Sequence, residues 1–150
     1  HVRRLSGLKA EAVAAGHPEC WVLGADTVVA VGREVLGKPA TPREAGRMLK
    51  KLSGREHAVY TGFTFRGIDS GISIQEVVAS KVAFRKVPDD EIAWYVHSRE
   101  PYDKAGGYAV QGMAALFIRE IQGSYTNVMG LPLCEVLDAM KKAGAVRFVS

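Results

Sequence analysis

The chain has 150 residues, of which 47% are hydrophobic and 24% charged, and its formal net charge is +4. That is the length of one ordinary domain with enough apolar content to bury a core, which excludes a disordered chain. The mild basic excess suits an anionic small molecule, but the longest basic runs, Arg3-Arg4, Lys50-Lys51 and Lys141-Lys142, are too short for a polybasic arm, so no stable nucleic-acid partner is expected.

No apolar stretch approaches the roughly 20 residues that span a bilayer, so no membrane contact is expected. Cys20 and Cys134 stand far apart, outside any CxxC motif or Cys/His cluster. That argues against a structural zinc site and for a reduced, cytoplasmic setting. The first residue is His1 rather than Met, so the start reads as cut.

Residues 2–15 place Leu5, Leu8, Ala12 and Val13 between charges, which predicts an amphipathic helix without a cap, ended by Gly16-His17-Pro18. Trp21-Val22-Leu23 and Thr27 to Val31 read as strand, and Gly32-Arg33 turns it back through Glu34-Val35-Leu36. Thr41-Pro42-Arg43-Glu44 is a helix start, with Thr as N-cap, Pro at the first position and Glu at the third. Its helix carries Ala45, Met48, Leu49 and Leu52 and stops near Ser53-Gly54.

Residues 56–66 and 72–87 alternate and are rich in Val, Ile, Phe and Thr, predicting two strands joined at Asp69-Ser70-Gly71. Val87-Pro88-Asp89 opens a helix to about His97, with Trp94 and Tyr95 expected in the core. A polar, glycine-rich stretch follows from Ser98 to Gly112, then a strand over Ala114–Glu120. Leu131-Pro132 begins a last helix that runs to about Ala143. The irregular alternation predicts one α/β domain over residues 1–150, with a mixed, twisted central sheet flanked by helices.

Several residues could carry chemistry. Asp26 follows a buried run at the mouth of a strand, where α/β domains bind ligands. It could activate a water or hold a divalent metal, or merely bond its own turn. Lys38, between Gly37 and Pro39, sits on a stiff loop suited to a phosphate; taken alone, it and Lys9 also read as solvated lysines. Asp103-Lys104 and Gln111 share ten residues with Gly106, Gly107 and Gly112, and glycines allow close approach to a ligand. Gln111 offers both donor and acceptor to a base edge. His17, His57 and His97 have no ligand spacing and read as surface or capping residues. No serine has a GxSxG setting.

Together these segments resemble the Maf family of nucleotide pyrophosphatases. The matching runs are Leu8 to Ala12, Gly24-Ala25-Asp26-Thr27-Val28-Val29, Leu36-Gly37-Lys38-Pro39, Met48 to Gly54, Tyr60-Thr61-Gly62, Glu100 to Tyr108, Gln111-Gly112 and Asn127 to Pro132. They occur in family order over nearly the whole chain. The resemblance implies a Maf/ITPase-like fold and hydrolysis of a nucleoside triphosphate between the α and β phosphates, with Mg or Mn.

By position, Asp26 is the implied proton acceptor and a metal contact with Asp103, while Lys9, Lys38 and Lys104 neutralise the triphosphate. Thr27 and Gln111 match the subgroup that prefers dTTP and UTP; a subgroup acting on 7-methyl-GTP has an acid where Gln111 stands. The resemblance also implies a homodimer. Maf-like proteins begin with a strand and a Ser-x-Ser-x-Arg-Arg loop that Arg3-Arg4 do not reproduce, so an N-terminal strand and phosphate loop are expected to be missing from this chain. A second reading is a nucleotide-binding regulator of septum formation without turnover.

Overall fold

The computed structural model describes residues 1–149. Its helices are α1 (Val2–Ala14), α2 (Pro42–Leu52), α3 (Asp89–Val96), α4 (Tyr125–Met129) and α5 (Leu133–Lys142). Its strands are β1 (Trp21–Val31), β2 (Glu34–Leu36), β3 (Glu56–Gly67), β4 (Ile72–Phe84) and β5 (Ile118–Gln122), in sheet order β2-β1-β3-β4-β5. Every ladder among the described residues is antiparallel. The α/β domain is as expected, but these five strands do not mix directions. Hairpins join β1 to β2 and β3 to β4, a return past α3 leads from β4 to β5, and α2 carries the chain across β1 from β2 to β3, two strands that run the same way without pairing.

Side chains alternate across a strand, so the sheet has two differently used faces. One carries Val29, Val31, Val59, Val82 and Phe84, which pack with Ala45, Leu49 and Leu52 of α2 and Ile92, Tyr95 and Val96 of α3. On that same face Phe63 meets Val136 and Ala139 of α5. The other face carries α1, where Ala10 and Ala14 cover Val22.

Helix α1 lies directly on β1 and β3 because glycines stand at the crossing. A Cβ on Gly24 would come within 2.5 Å of Ser6 O, and one on Gly62 within 2.6 Å of Val2 O. Polar contacts fix the helix along its length. Ser6 Oγ meets Thr64 Oγ1 at 3.0 Å, while Gln75 Nε2 donates to Thr64 Oγ1 and to Arg3 O.

Helix α2 begins as its sequence predicts: Thr41 Oγ1 accepts from Glu44 N at 3.2 Å. The Glu44 carboxylate reaches back to Ala40 N, satisfying another backbone donor at the helix entry. Other expectations need correction. The stretch expected as strand from Ala114 is a 3-10 turn over Met113–Phe117, and strand pairing starts only at Ile118. Ala114 and Phe117 face the core from that turn, so their apolar character reflects burial rather than extension.

Helix α4 was not expected; five residues are too few to show a period. Its signal is the cap, where Ser124 Oγ accepts from Asn127 N. Of the two aromatics expected in the core, Tyr95 is fully buried and Trp94 is 53% exposed. Neighbours on a helix point about 100° apart, so a narrow buried face takes only one of them.

Candidate nucleotide site

Strand β2 pairs only with Val29–Val31 of β1. Among the described residues, the rest of that β1 edge has no strand beside it. A cleft of about 230 Å³ crosses this open edge. That is how Asp26 and Thr27, which point to opposite faces of the sheet, can line one pocket.

The cleft carries charge, with Lys9, Asp26, Lys38, Asp103 and Lys104 on its wall. Lys9 reaches down from α1, and its Nζ donates to Asp26 Oδ1 at 2.7 Å and to Ala25 O at 3.0 Å. The Asp26 side chain is only 16% exposed, so this pair sits at the wall rather than in free solvent. Lys104 Nζ donates to Asp103 Oδ2 at 2.9 Å. That hydrogen bond, with Lys38 adding its charge, holds the Asp103 carboxyl below the usual carboxylate range.

Two backbone devices bring these loops together. Gly106 N donates to Gly37 O at 3.0 Å, tying the glycine-rich segment to the loop that carries Lys38. Glu100 closes the base of the same segment. Its Oε1 accepts from Tyr95 Oη and Ala114 N, and its Oε2 from Met113 N at 2.7 Å. Asp103 and Lys104 lie within the loop so closed.

The cleft is also lined by apolar side chains. Val29, Val59, Tyr108, Val128 and Met129 line it, with Thr27 and Gly130 as polar handles. Tyr108 is held from behind by His57, whose Nε2 lies 2.7 Å from the tyrosine Oη. The expectation of a surface histidine therefore fails: His57 is 3% exposed. It stands in phase with Val59, Thr61, Phe63 and Phe65 on β3, and that alternation is the signal that identifies it as buried.

Lys9, Asp26, Thr27, Lys38, Asp103 and Lys104 all meet in this cleft. Gln111 does not line it; it is exposed on the turn before Met113. Sequence reasoning gave no role to Glu100 or to the pair Thr61 and Asn127 behind Thr27, because each acts through a tertiary contact that no local spacing displays.

A smaller correction concerns the absence of a Cys/His cluster. His17, Glu19 and Cys20 bring ligand atoms within 4.8 Å of one another before β1, because a turn closes Cys20 N on His17 O. All three are exposed, they lie outside the cleft, and no role follows from them.

The Maf-like protein family model matches residues 1–143. The chain belongs to the Maf family. This Maf-family chain is 61% identical over 148 residues to a protein of Syntrophus aciditrophicus named dTTP/UTP pyrophosphatase, covering 99% of the chain and 72% of that protein. It is 49% identical over 146 residues to the dTTP/UTP pyrophosphatase of Geobacter sp. strain M21, covering 97% and 76%. It is 46% identical over 144 residues to that of Myxococcus xanthus, covering 96% and 72%. No helix among the described residues of this Maf-family chain is long and apolar enough to cross a membrane.

Proposed function

We propose that this chain hydrolyses dTTP and UTP to the nucleoside monophosphate and pyrophosphate. The observation that carries the reading is that three lysines, two aspartates and a set of apolar side chains line one cleft. A triphosphate needs neutralisation and positioning, which Lys9, Lys38 and Lys104 supply. A base needs an apolar slot with few polar handles, which Val29, Val59, Tyr108 and Val128 form around Thr27. Relatives up to 61% identical to this chain over the aligned residues carry the matching name.

In this reading water attacks the α phosphorus, the α–β bridging P–O bond breaks, and pyrophosphate leaves. Asp26 accepts the proton lost by the water. Lys9, bonded to Asp26, turns toward the phosphates as they arrive, which frees the carboxylate oxygen it held.

Carboxylate oxygens of Asp26 and Asp103 on the cleft wall fit a hard divalent cation, Mg or Mn, which is held by one or two carboxylates together with substrate phosphates. Bound there, the ion would neutralise negative charge on the phosphates. Gln111, exposed outside the cleft, would need a loop movement to read a base edge, so the reading places base choice first on Thr27. The proposal extends to a homodimer in the cytoplasm, supported by the two free thiols Cys20 and Cys134 and by the exposed apolar residues Tyr60 and Val77.

Pyrophosphate release from dTTP and UTP, with Mg or Mn present, is the test. Asp26→Asn should lower kcat by roughly a hundredfold or more, the scale of a positioned general base. Equal rates in wild type and variant would remove Asp26 as the base. Nucleotide binding without pyrophosphate release in the wild type would favour the regulator of septum formation instead.

A further inference from the structure

Behind Thr27, in the wall of the cleft, lies a short chain of hydroxyls. Thr27 on β1 and Thr61 on β3 are cross-strand partners. Their Oγ1 atoms are 2.9 Å apart. Thr61 is fully buried, and its Oγ1 lies 3.2 Å from Asn127 O. Thr27 Oγ1 lies 3.4 Å from Gly130 O. The Asn127 side chain is itself buried and anchored, donating to Val59 O at 3.1 Å and Ser80 Oγ at 2.9 Å.

A threonine hydroxyl has one proton and two lone pairs, and a carbonyl only accepts. The chain therefore ends in an acceptor on both sides. If Thr61 donates to Asn127 O, Thr27 donates to Thr61. If Thr61 donates to Thr27, Thr27 donates to Gly130 O. In both arrangements the Thr27 proton is spent inside the wall. What Thr27 turns toward the cleft is an oxygen lone pair, and turning the proton outward costs one of these bonds.

We propose that Thr61 is a specificity-determining positioning residue: it holds the Thr27 hydroxyl as an acceptor, so that the cleft selects a base that offers a ring N–H. This rests on the pyrophosphatase reading and deepens it. Uracil and thymine both carry an N–H at ring position 3, whereas cytosine has a lone pair there. The same wiring accepts thymine and uracil alike, because the 5-methyl group that separates them takes no part in it. Thr61 never touches the ligand; it acts through Thr27.

The experiment compares kcat/KM for UTP and CTP in the wild type, Thr61→Val and Thr61→Ser, and adds N3-methyl-UTP with the wild type. Valine keeps the shape and removes the hydroxyl, leaving Thr27 only the long contact to Gly130 O, so that its proton can turn to the ligand. The UTP to CTP ratio should fall roughly tenfold in Thr61→Val, the worth of about one hydrogen bond, and return in Thr61→Ser. The wild type should turn over N3-methyl-UTP at least roughly tenfold less well than UTP.

Equal loss on UTP and CTP in Thr61→Val would make Thr61 structural and overturn the proposal. So would equal turnover of UTP and N3-methyl-UTP, an arm that stands even if the valine variant fails to fold. A wild type that releases pyrophosphate from neither UTP nor dTTP would defeat the pyrophosphatase reading itself, and this inference with it; intact turnover with an unchanged ratio defeats the wiring alone.

Discussion

His57 shows how one buried side chain ties pH to stability. It packs edge-on against Phe84 and Tyr108 at centroid distances of 5.1 and 5.4 Å. Burial pulls its pKa down from 6.5 to about 4, and the neighbouring Glu56 opposes this only in part. Its folded pKa lies below its unfolded one, so the unfolded chain binds more protons between them. The stability is whole above about pH 6.5 and is lost as pH falls toward about 4, by about 3 kcal/mol over the full window. Melting curves at pH 7 and pH 5 should therefore separate in the wild type and draw together in His57→Gln. An unchanged separation in the variant would assign the acid sensitivity to other groups. Because Tyr108 lines the cleft, protonating His57 should also loosen the apolar wall.

At the scale of elements, α1 is both a cover for the sheet and the carrier of Lys9. Its height above β1 and β3 is set by Gly24 and Gly62, where any side chain would meet helix backbone. Gly24→Ala must push the helix outward or strain it, at a cost of about 1–3 kcal/mol. Lys9 would move with the helix, away from the Asp26 contact at 2.7 Å. The expected outcome is a lower Tm together with a raised KM for dTTP. A variant that loses Tm while keeping the wild-type KM would show that Lys9 does not depend on the seating of α1. Glu100 plays the corresponding part for the opposite wall, since its carboxylate joins Tyr95 to the amides of residues 113 and 114.

At the scale of the whole molecule, the two sheet faces are unequally covered. The core face is closed by α2, α3 and α5, whereas α1 covers only part of the other. Beyond its first turn, Val28, Tyr60 and Val77 form a shallow apolar groove, with Tyr60 37% and Val77 46% exposed. Apolar surface of this kind is a common component of interfaces between subunits. The proposed homodimer predicts sedimentation at twice the 16.2 kDa chain mass. It also predicts that Tyr60→Glu or Val77→Glu shifts the protein toward monomer. A wild type that sediments as a monomer at all concentrations would remove the dimer.

Much of this architecture is legible in the sequence because its causes are local. Alternation over residues 56–66 marks β3, Thr41-Pro42 marks the start of α2, and Asp69-Ser70-Gly71 marks the β3–β4 turn. The motif runs around Asp26, Lys38 and Asp103 identify the segments that meet in the cleft, since adjacent residues keep their spacing whatever the fold. Tertiary structure alone decides three other matters. It places Asp26 and Thr27, on opposite faces of one strand, in a single pocket, because β2 pairs with β1 only over Val29–Val31 and no other strand among the described residues lies along that edge. It leaves Gln111 outside that pocket, because the segment closed by Glu100 turns it outward. It also gives Thr27 its hydrogen-bond direction, because Thr61 and Asn127 come from strands and helices 34 and 100 positions away in the chain, and only packing brings their oxygens within hydrogen-bond reach.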